Sequence, residues 1–180
     1  MVYCFLADGF EELEAIAPID MLKRAGVEVI TAGVTGKNVT GSHGITLVAD
    51  ITADEINLTD ELEAVILPGG MPGTLNLEKS EPVQNAIDFA VSKDKYVCAI
   101  CAAPSILGHK GLLRGKKATA FPGFEEDLEG AITDNCFVAH DGKFITARGA
   151  GVATEFGLEI VSALVSAEKS AEIKATIQSR

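Results

Sequence analysis

The sequence predicts a single α/β domain spanning residues 1–180, with a mainly parallel sheet covered by helices on both faces. Two observations predict it. Short, continuous apolar runs alternate along the chain with longer helical stretches, the pattern of strands buried on both faces. A length of 180 residues, 47% of them apolar and 23% charged, fits one ordinary globular domain, and no repeat, low-complexity tract or linker divides it.

The elements follow in order. Val2–Leu6 reads as the first strand. Residues 11–25 read as a helix closed by Gly26, with Leu13, Ile16, Ala17 and Met21 on its apolar face. Residues 27–32 form a second strand, apolar enough to be central. Residues 34–50, with Gly36, Gly41 and Gly44, predict a hairpin excursion, and residues 52–62 an acidic connection. Ala64–Leu67 is a strand that stops at Pro68-Gly69-Gly70. Glu81–Ser92 is a helix with Pro82 at a tolerated early position. Tyr96–Ile100 is another buried strand, with a helix from Ala102 onward and a short strand over 117–120. Asp141-Gly142, between the strands 137–140 and 144–147, is the strongest hairpin signal in the chain. Helices over 152–166 and 168–178 close it.

Composition excludes several function classes. A net charge of -11 repels phosphate backbones and anionic membranes, so neither nucleic acid nor lipid is expected as a partner. No run approaches the roughly 20 apolar residues of a membrane span. The first residues lack a basic leader and reach Asp8 early, so a mature, cytoplasmic protein is expected. Cysteines at 4, 98, 101 and 136 form no disulfide framework, and His43, His109 and His140 are too isolated to complete a zinc site with Cys98 and Cys101. No metal and no cofactor is expected.

The informative stretch is Tyr96-Val97-Cys98-Ala99-Ile100-Cys101-Ala102-Ala103-Pro104-Ser105. An apolar strand runs straight into a helix, with Cys101 at the junction among small residues. That is the local physics of a nucleophile elbow, and backbone N–H groups at a helix start favour a thiolate there. A buried structural cysteine would fit the same pattern, so both readings stand at this point. Cys98 lies inside the strand, and Cys4 and Cys136 are expected in the core.

Four motifs occur in order: Glu11-Glu12-Leu13-Glu14, Leu67-Pro68-Gly69-Gly70, Ala99-Ile100-Cys101-Ala102-Ala103-Pro104 and Arg148-Gly149-Ala150-Gly151. Together they resemble the ThiJ/PfpI superfamily, in its DJ-one/YajL subgroup, from the first strand to about Ser166. The resemblance implies a flavodoxin-like (class I glutamine-amidotransferase-like) fold, a homodimer, and a reactive cysteine partnered by a glutamate. These are Cys101 and Glu14. A protonated Glu14, expected to be partly buried, would donate to the sulfur and lower the thiol pKa. The helix is expected to be distorted at Pro18, which cannot donate to the Glu14 carbonyl. Glu11 and Glu12 are read as ordinary first-turn acids. The N–H groups of Gly69, Gly70 and Ala102 are candidates to hold an oxyanion or sulfinate, and Arg148 resembles the subgroup's anion-facing arginine.

Many members carry a histidine about 20 residues after the cysteine; here the position holds Phe121. That argues against a cysteine–histidine–acid triad, and so against peptidase or amidotransferase chemistry. His43 is expected near the pocket or the dimer contact, His140 exposed, and His109 at a helix end. The resemblance implies a cofactor-free glyoxalase or deglycase acting on methylglyoxal, glyoxal or early glycation adducts. The alternative is a peroxide-responsive sensor or holdase chaperone using the same oxidisable thiol. Nothing recommends the thiazole chemistry that older naming suggests.

Overall fold

The computed structural model describes residues 1–134 and 136–179. The strands are β1 (Val2–Leu6), β2 (Val29–Gly33), β3 (Asn38–Thr40), β4 (Thr46–Val48), β5 (Ile51–Thr52), β6 (Ala64–Leu67), β7 (Tyr96–Ile100), β8 (Lys117–Ala118), β9 (Ile132–Thr133), β10 (Val138–Asp141) and β11 (Phe144–Ala147). The helices are α1 (Glu12–Arg24), α2 (Gly73–Lys79), α3 (Glu81–Ser92), α4 (Pro104–His109), α5 (Ala153–Leu164) and α6 (Ala167–Thr176).

Seven strands form one sheet in the order β10-β11-β7-β6-β1-β2-β5, parallel except for the β10/β11 hairpin. Alternate residues of each central strand enter opposite cores, because side chains point to the two faces in turn. Val2, Cys4, Leu6, Cys98 and Ile100 pack with Met21, Leu22, Phe156 and Ile160 of α1 and α5. Tyr3, Phe5, Val97 and Ala99 pack with Val83, Ile87 and Ile106 of α3 and α4. After β1 the chain builds outward through β2 and β5, then returns to the other side of β1 as β6. This reversal opens a crevice beyond the carboxyl ends of β1 and β6, where α/β sheets place their sites.

Several sequence expectations shift. The second strand begins at Val29, not Val27, because the Val27 N–H is taken by the Leu22 carbonyl as the helix ends; it lies one strand from the sheet edge, not at its centre. The acidic connection contains β5 and a 3-10 turn over Ala53–Glu55, capped by Glu55 reaching back to the Thr52 N–H at 2.7 Å. Helix α2 was not expected, since its start at Pro72-Gly73 reads as loop. Residues 101–103 form a turn, and α4 begins only at Pro104. Leu13 and Ile16, assigned to the buried face of α1, are exposed, while Ala15, Pro18, Met21 and Leu22 are buried. The helix runs on through Pro18, against which α5 packs closely: a Cβ at Gly157 would lie 2.8 Å from the Pro18 Cα. No described helix is long and apolar enough to cross a membrane.

Candidate active site

Three loops converge at the crevice. The turn after β1 leads into α1, whose first turn carries Glu14; the turn after β6 carries Gly69 and Gly70; the turn after β7 carries Cys101. The parallel register of β1, β6 and β7 sets their ends side by side. Cys101 has φ +66°, a left-handed conformation that non-glycine residues seldom adopt. Its N–H donates to the Ala147 carbonyl at 2.8 Å, and its carbonyl accepts from the Phe121 N–H at 2.8 Å. Strands and turn thus fix both peptide groups of the strained residue, which aims the sulfur into the crevice as an elbow requires.

Glu14 is buried, only 1% exposed. The first turn of α1 is held by Glu11, whose carboxylate accepts from the Glu14 N–H at 2.8 Å. The Glu14 carboxyl accepts from the Gly69 N–H at 3.0 Å and lies against the Cys101 sulfur and the Ala150 N–H. The N–H groups of Gly70 and Ala102 point to the sulfur. Gly69 must be glycine for this packing: an added Cβ would lie 2.6 Å from the Cys101 Cβ and 2.6 Å from Glu14 Oε2.

Burial first, then the charge of Glu11, pushes the Glu14 carboxyl up to about 7, against the bonds from Cys101, Gly69 and Ala150. Burial, followed by the charge and hydrogen bond of Glu14, pushes the Cys101 thiol up to about 12, against the N–H groups of Gly70 and Ala102. This corrects the expectation of a lowered thiol pKa, because an ionised Glu14 repels a thiolate. The two groups titrate as one pair: it gives up one proton near neutrality and holds the other far into the alkaline range. Between those steps the pair keeps a single proton, held chiefly by the sulfur, with the carboxylate beside it as the group to which it can pass.

The other expected residues fall into place around this pair. Gly70 and Ala102 supply N–H groups to the sulfur, whereas the Gly69 N–H is taken by Glu14. Arg148 makes no ion pair within 4 Å among the described residues; it stands between Glu125 and Asp134 of a small polar pocket and a neighbouring apolar groove. Phe121 is at the rim, its ring near Gly149. His43 is bound not to the reactive pair but to Glu12: its N–H donates to Glu12 Oε1 at 2.8 Å and its ring meets Oε2 at 2.9 Å. His109 pairs with Glu78 at 2.6 Å and His140 with Glu159 at 2.7 Å, so none of the three histidines is placed as a base for Cys101.

Sequence reasoning missed two participants. Glu12 is buried, not an ordinary first-turn acid. Burial alone would raise its pKa, but the His43 ring and the N–H groups of His43 and Ile45 outweigh this and hold it below the usual carboxylate range. It thereby ties the β3/β4 hairpin to α1. Ala150, whose N–H reaches Glu14, was signalled only by the small residues of Gly149-Ala150-Gly151. Of the cysteines expected in the core, Cys4 and Cys98 are buried with their thiols pushed up by desolvation, while Cys136 is only partly buried, beside Asp134.

Comparison with known proteins shows the family. The chain is 38% identical over 177 residues to protein DJ-1 homolog A of Arabidopsis thaliana, covering 96% of this chain and 45% of that one. The chain thus spans less than half the length of that plant relative. It is 36% identical over 151 residues to a deglycase of Pyrococcus abyssi, covering 81% of this chain and 87% of the relative. The solved structure of oxidised Toxoplasma gondii DJ-1 superposes with a TM-score of 0.92 at 31% identity, covering 98% of this chain and 97% of that one. Residues 1–163 match the DJ-1/PfpI family. Sequence and fold coincide in these matches, and the chain belongs to the DJ-1/PfpI family.

Proposed function

We propose that the protein is a cofactor-free, cysteine-dependent enzyme that converts small α-oxoaldehydes such as methylglyoxal to hydroxy acids. The observation that carries this is the placement of the buried Glu14 carboxyl against the sulfur of elbow Cys101, where a proton can pass between them. With that proton on Glu14, the sulfur is a thiolate supported by the N–H groups of Gly70 and Ala102. It adds to the aldehyde carbon, C1, and the carbonyl oxygen takes up a proton to give a hemithioacetal. Glu14, now a carboxylate, removes the C1 hydrogen as a proton and returns it to C2 through an enediol. C2 is thereby reduced from ketone to alcohol while C1 rises to a thioester. Water cleaves the thioester, releasing the hydroxy acid and restoring the thiol. No outside oxidant or reductant is consumed.

The similarity to a protein named a deglycase supports extending the substrates to early glycation adducts, which present the same carbon skeleton on an amine. Exposed Leu13 and Ile16 on α1, and exposed Ile45 and Val48 on the hairpin that Glu12 ties to that helix, support a homodimer through these elements; sedimentation as a monomer at assay concentration would remove this part of the reading.

The test is lactate formation from methylglyoxal without glutathione, beside Cys101→Ser. The expected result is many turnovers by the wild type and none above background by the variant. Equal product from both would sink the reading. A second reading, a peroxide sensor, is favoured by one feature: the N–H groups and Glu14 that face the sulfur can equally hold a sulfinate. Stoichiometric oxidation at Cys101 without aldehyde turnover is the outcome that selects it.

A further inference from the structure

Next to the reactive pair lies a groove of about 380 Å³ lined by Phe121, Pro122, Phe137 and the backbone of 149–152, with Arg148 on its wall. Phe121 is 48% exposed and Phe137 64%, whereas Phe5, Phe10, Phe144 and Phe156 are all buried. Two separate connections bring the two exposed residues to one groove. The turn after β8 carries Phe121, and Phe137 precedes β10, held there as its carbonyl accepts from the Arg148 N–H at 2.9 Å.

The groove opens directly off the chemistry. Its floor at Gly149 and Ala150 is the backbone on which the Glu14 carboxyl rests: a Cβ at Gly149 would lie 3.3 Å from the Phe121 ring and 3.9 Å from Glu14 Oε1. Phe121 is itself bonded through its N–H to the Cys101 carbonyl. A substituent that extends from the sulfur past Gly149 would enter the groove that the two phenylalanines line. A methyl group fills little of a groove of about 380 Å³. A planar aromatic group can lie against them, since aromatic rings favour offset or edge contacts with one another.

We propose that this groove is a substituent subsite that selects α-oxoaldehydes carrying an aryl group over methylglyoxal, an inference that rests on the oxoaldehyde reading above. The overall reaction is ArCOCHO + H₂O → ArCH(OH)COO⁻ + H⁺, with the same C1-to-C2 proton transfer by Glu14 and no added redox partner. Phe137 is the specificity-determining residue, because it touches the substituent and none of the reacting atoms.

The test compares initial-rate kcat/KM for phenylglyoxal, read as mandelate, and methylglyoxal, read as lactate. Enzyme and aldehyde are mixed without preincubation, since both aldehydes also modify arginine. The wild type is expected to prefer phenylglyoxal at least tenfold. Phe137→Ala should cut that preference about tenfold, through the KM for phenylglyoxal, and Phe137→Tyr should restore it. Equal kcat/KM values, or a preference unmoved by Phe137→Ala, would overturn the subsite. If neither aldehyde is turned over, the oxoaldehyde reading fails and a different measurement decides the groove. Cys101 is then alkylated with N-phenyliodoacetamide and with iodoacetamide. A phenyl preference that collapses in Phe137→Ala supports the groove, and the same ratio in both proteins overturns it.

Discussion

Glu14→Gln is expected to lower kcat on methylglyoxal by about 10²–10⁴-fold, the usual weight of a positioned acid–base group. Glutamine keeps the acceptor for the Gly69 N–H and can donate to the sulfur, so the pocket keeps its shape. It cannot accept the C1 proton. Addition of the thiol to the aldehyde should survive, and Cys101 should still be alkylated, while product formation slows by that factor. The same variant has a stability signature of known sign. The folded pKa of about 7 lies above the ordinary 4.5, so the folded state holds the proton more tightly than the unfolded chain does. That contribution is complete below pH 4.5 and is lost as pH rises through 7, amounting to about 3 kcal/mol at most. Glu14→Gln should therefore gain stability relative to wild type as pH rises across that window. Paired denaturation curves at pH 4 and pH 8 read it. A variant with wild-type turnover would remove Glu14 from the chemistry.

Gly69→Ala should be nearly as damaging by a different route. The added methyl would sit 2.6 Å from both the Cys101 Cβ and Glu14 Oε2, and 2.8 Å from the Ile100 carbonyl oxygen. Two of these neighbours belong to the strand end and the elbow and cannot swing aside, so the β6 turn must move. Overpacking of this kind costs about 1–3 kcal/mol. A shift of about 1 Å between reacting groups costs on the order of 10²-fold in rate. Thermal unfolding and methylglyoxal turnover, measured on the same preparation, check the two effects. A variant as active as wild type would mean that the Glu14–Cys101 contact does not govern the rate.

What the sequence made legible follows from which interactions are local. Strands β1, β6 and β7 are continuous apolar runs because both faces are covered, and Asp141-Gly142 forms its hairpin from the turn residues alone. The elbow was readable because strand, cysteine and small residues are contiguous. Helix α2 was not, since Pro72 and Gly73 at its start read as loop. Leu13 and Glu14 were distinguishable only through the family resemblance: periodicity placed Leu13 inside, and the fold buries Glu14 and exposes Leu13. Glu12 was misjudged because its partners, His43 and Ile45, lie some thirty residues away in the hairpin. The direction of the Cys101 shift was misjudged because a hydrogen bond was weighed without the burial and the carboxylate charge that accompany it. Phe137 drew no attention, since an apolar residue ahead of a strand looks like more strand.

The central claim is that Cys101 and Glu14 share one proton near neutrality, and the pH profile of Cys101 alkylation tests it most directly. The rate with iodoacetamide is followed from pH 5 to pH 11, with the Cys101→Ser signal subtracted for the other thiols. If the proton is shared, the rate rises through about pH 7, where the pair loses its first proton, and then holds a plateau set by the fraction carrying that proton on Glu14. If the rate instead climbs about tenfold per pH unit from pH 7 to pH 11 without a plateau, Cys101 is an isolated buried thiol and the shared proton does not exist.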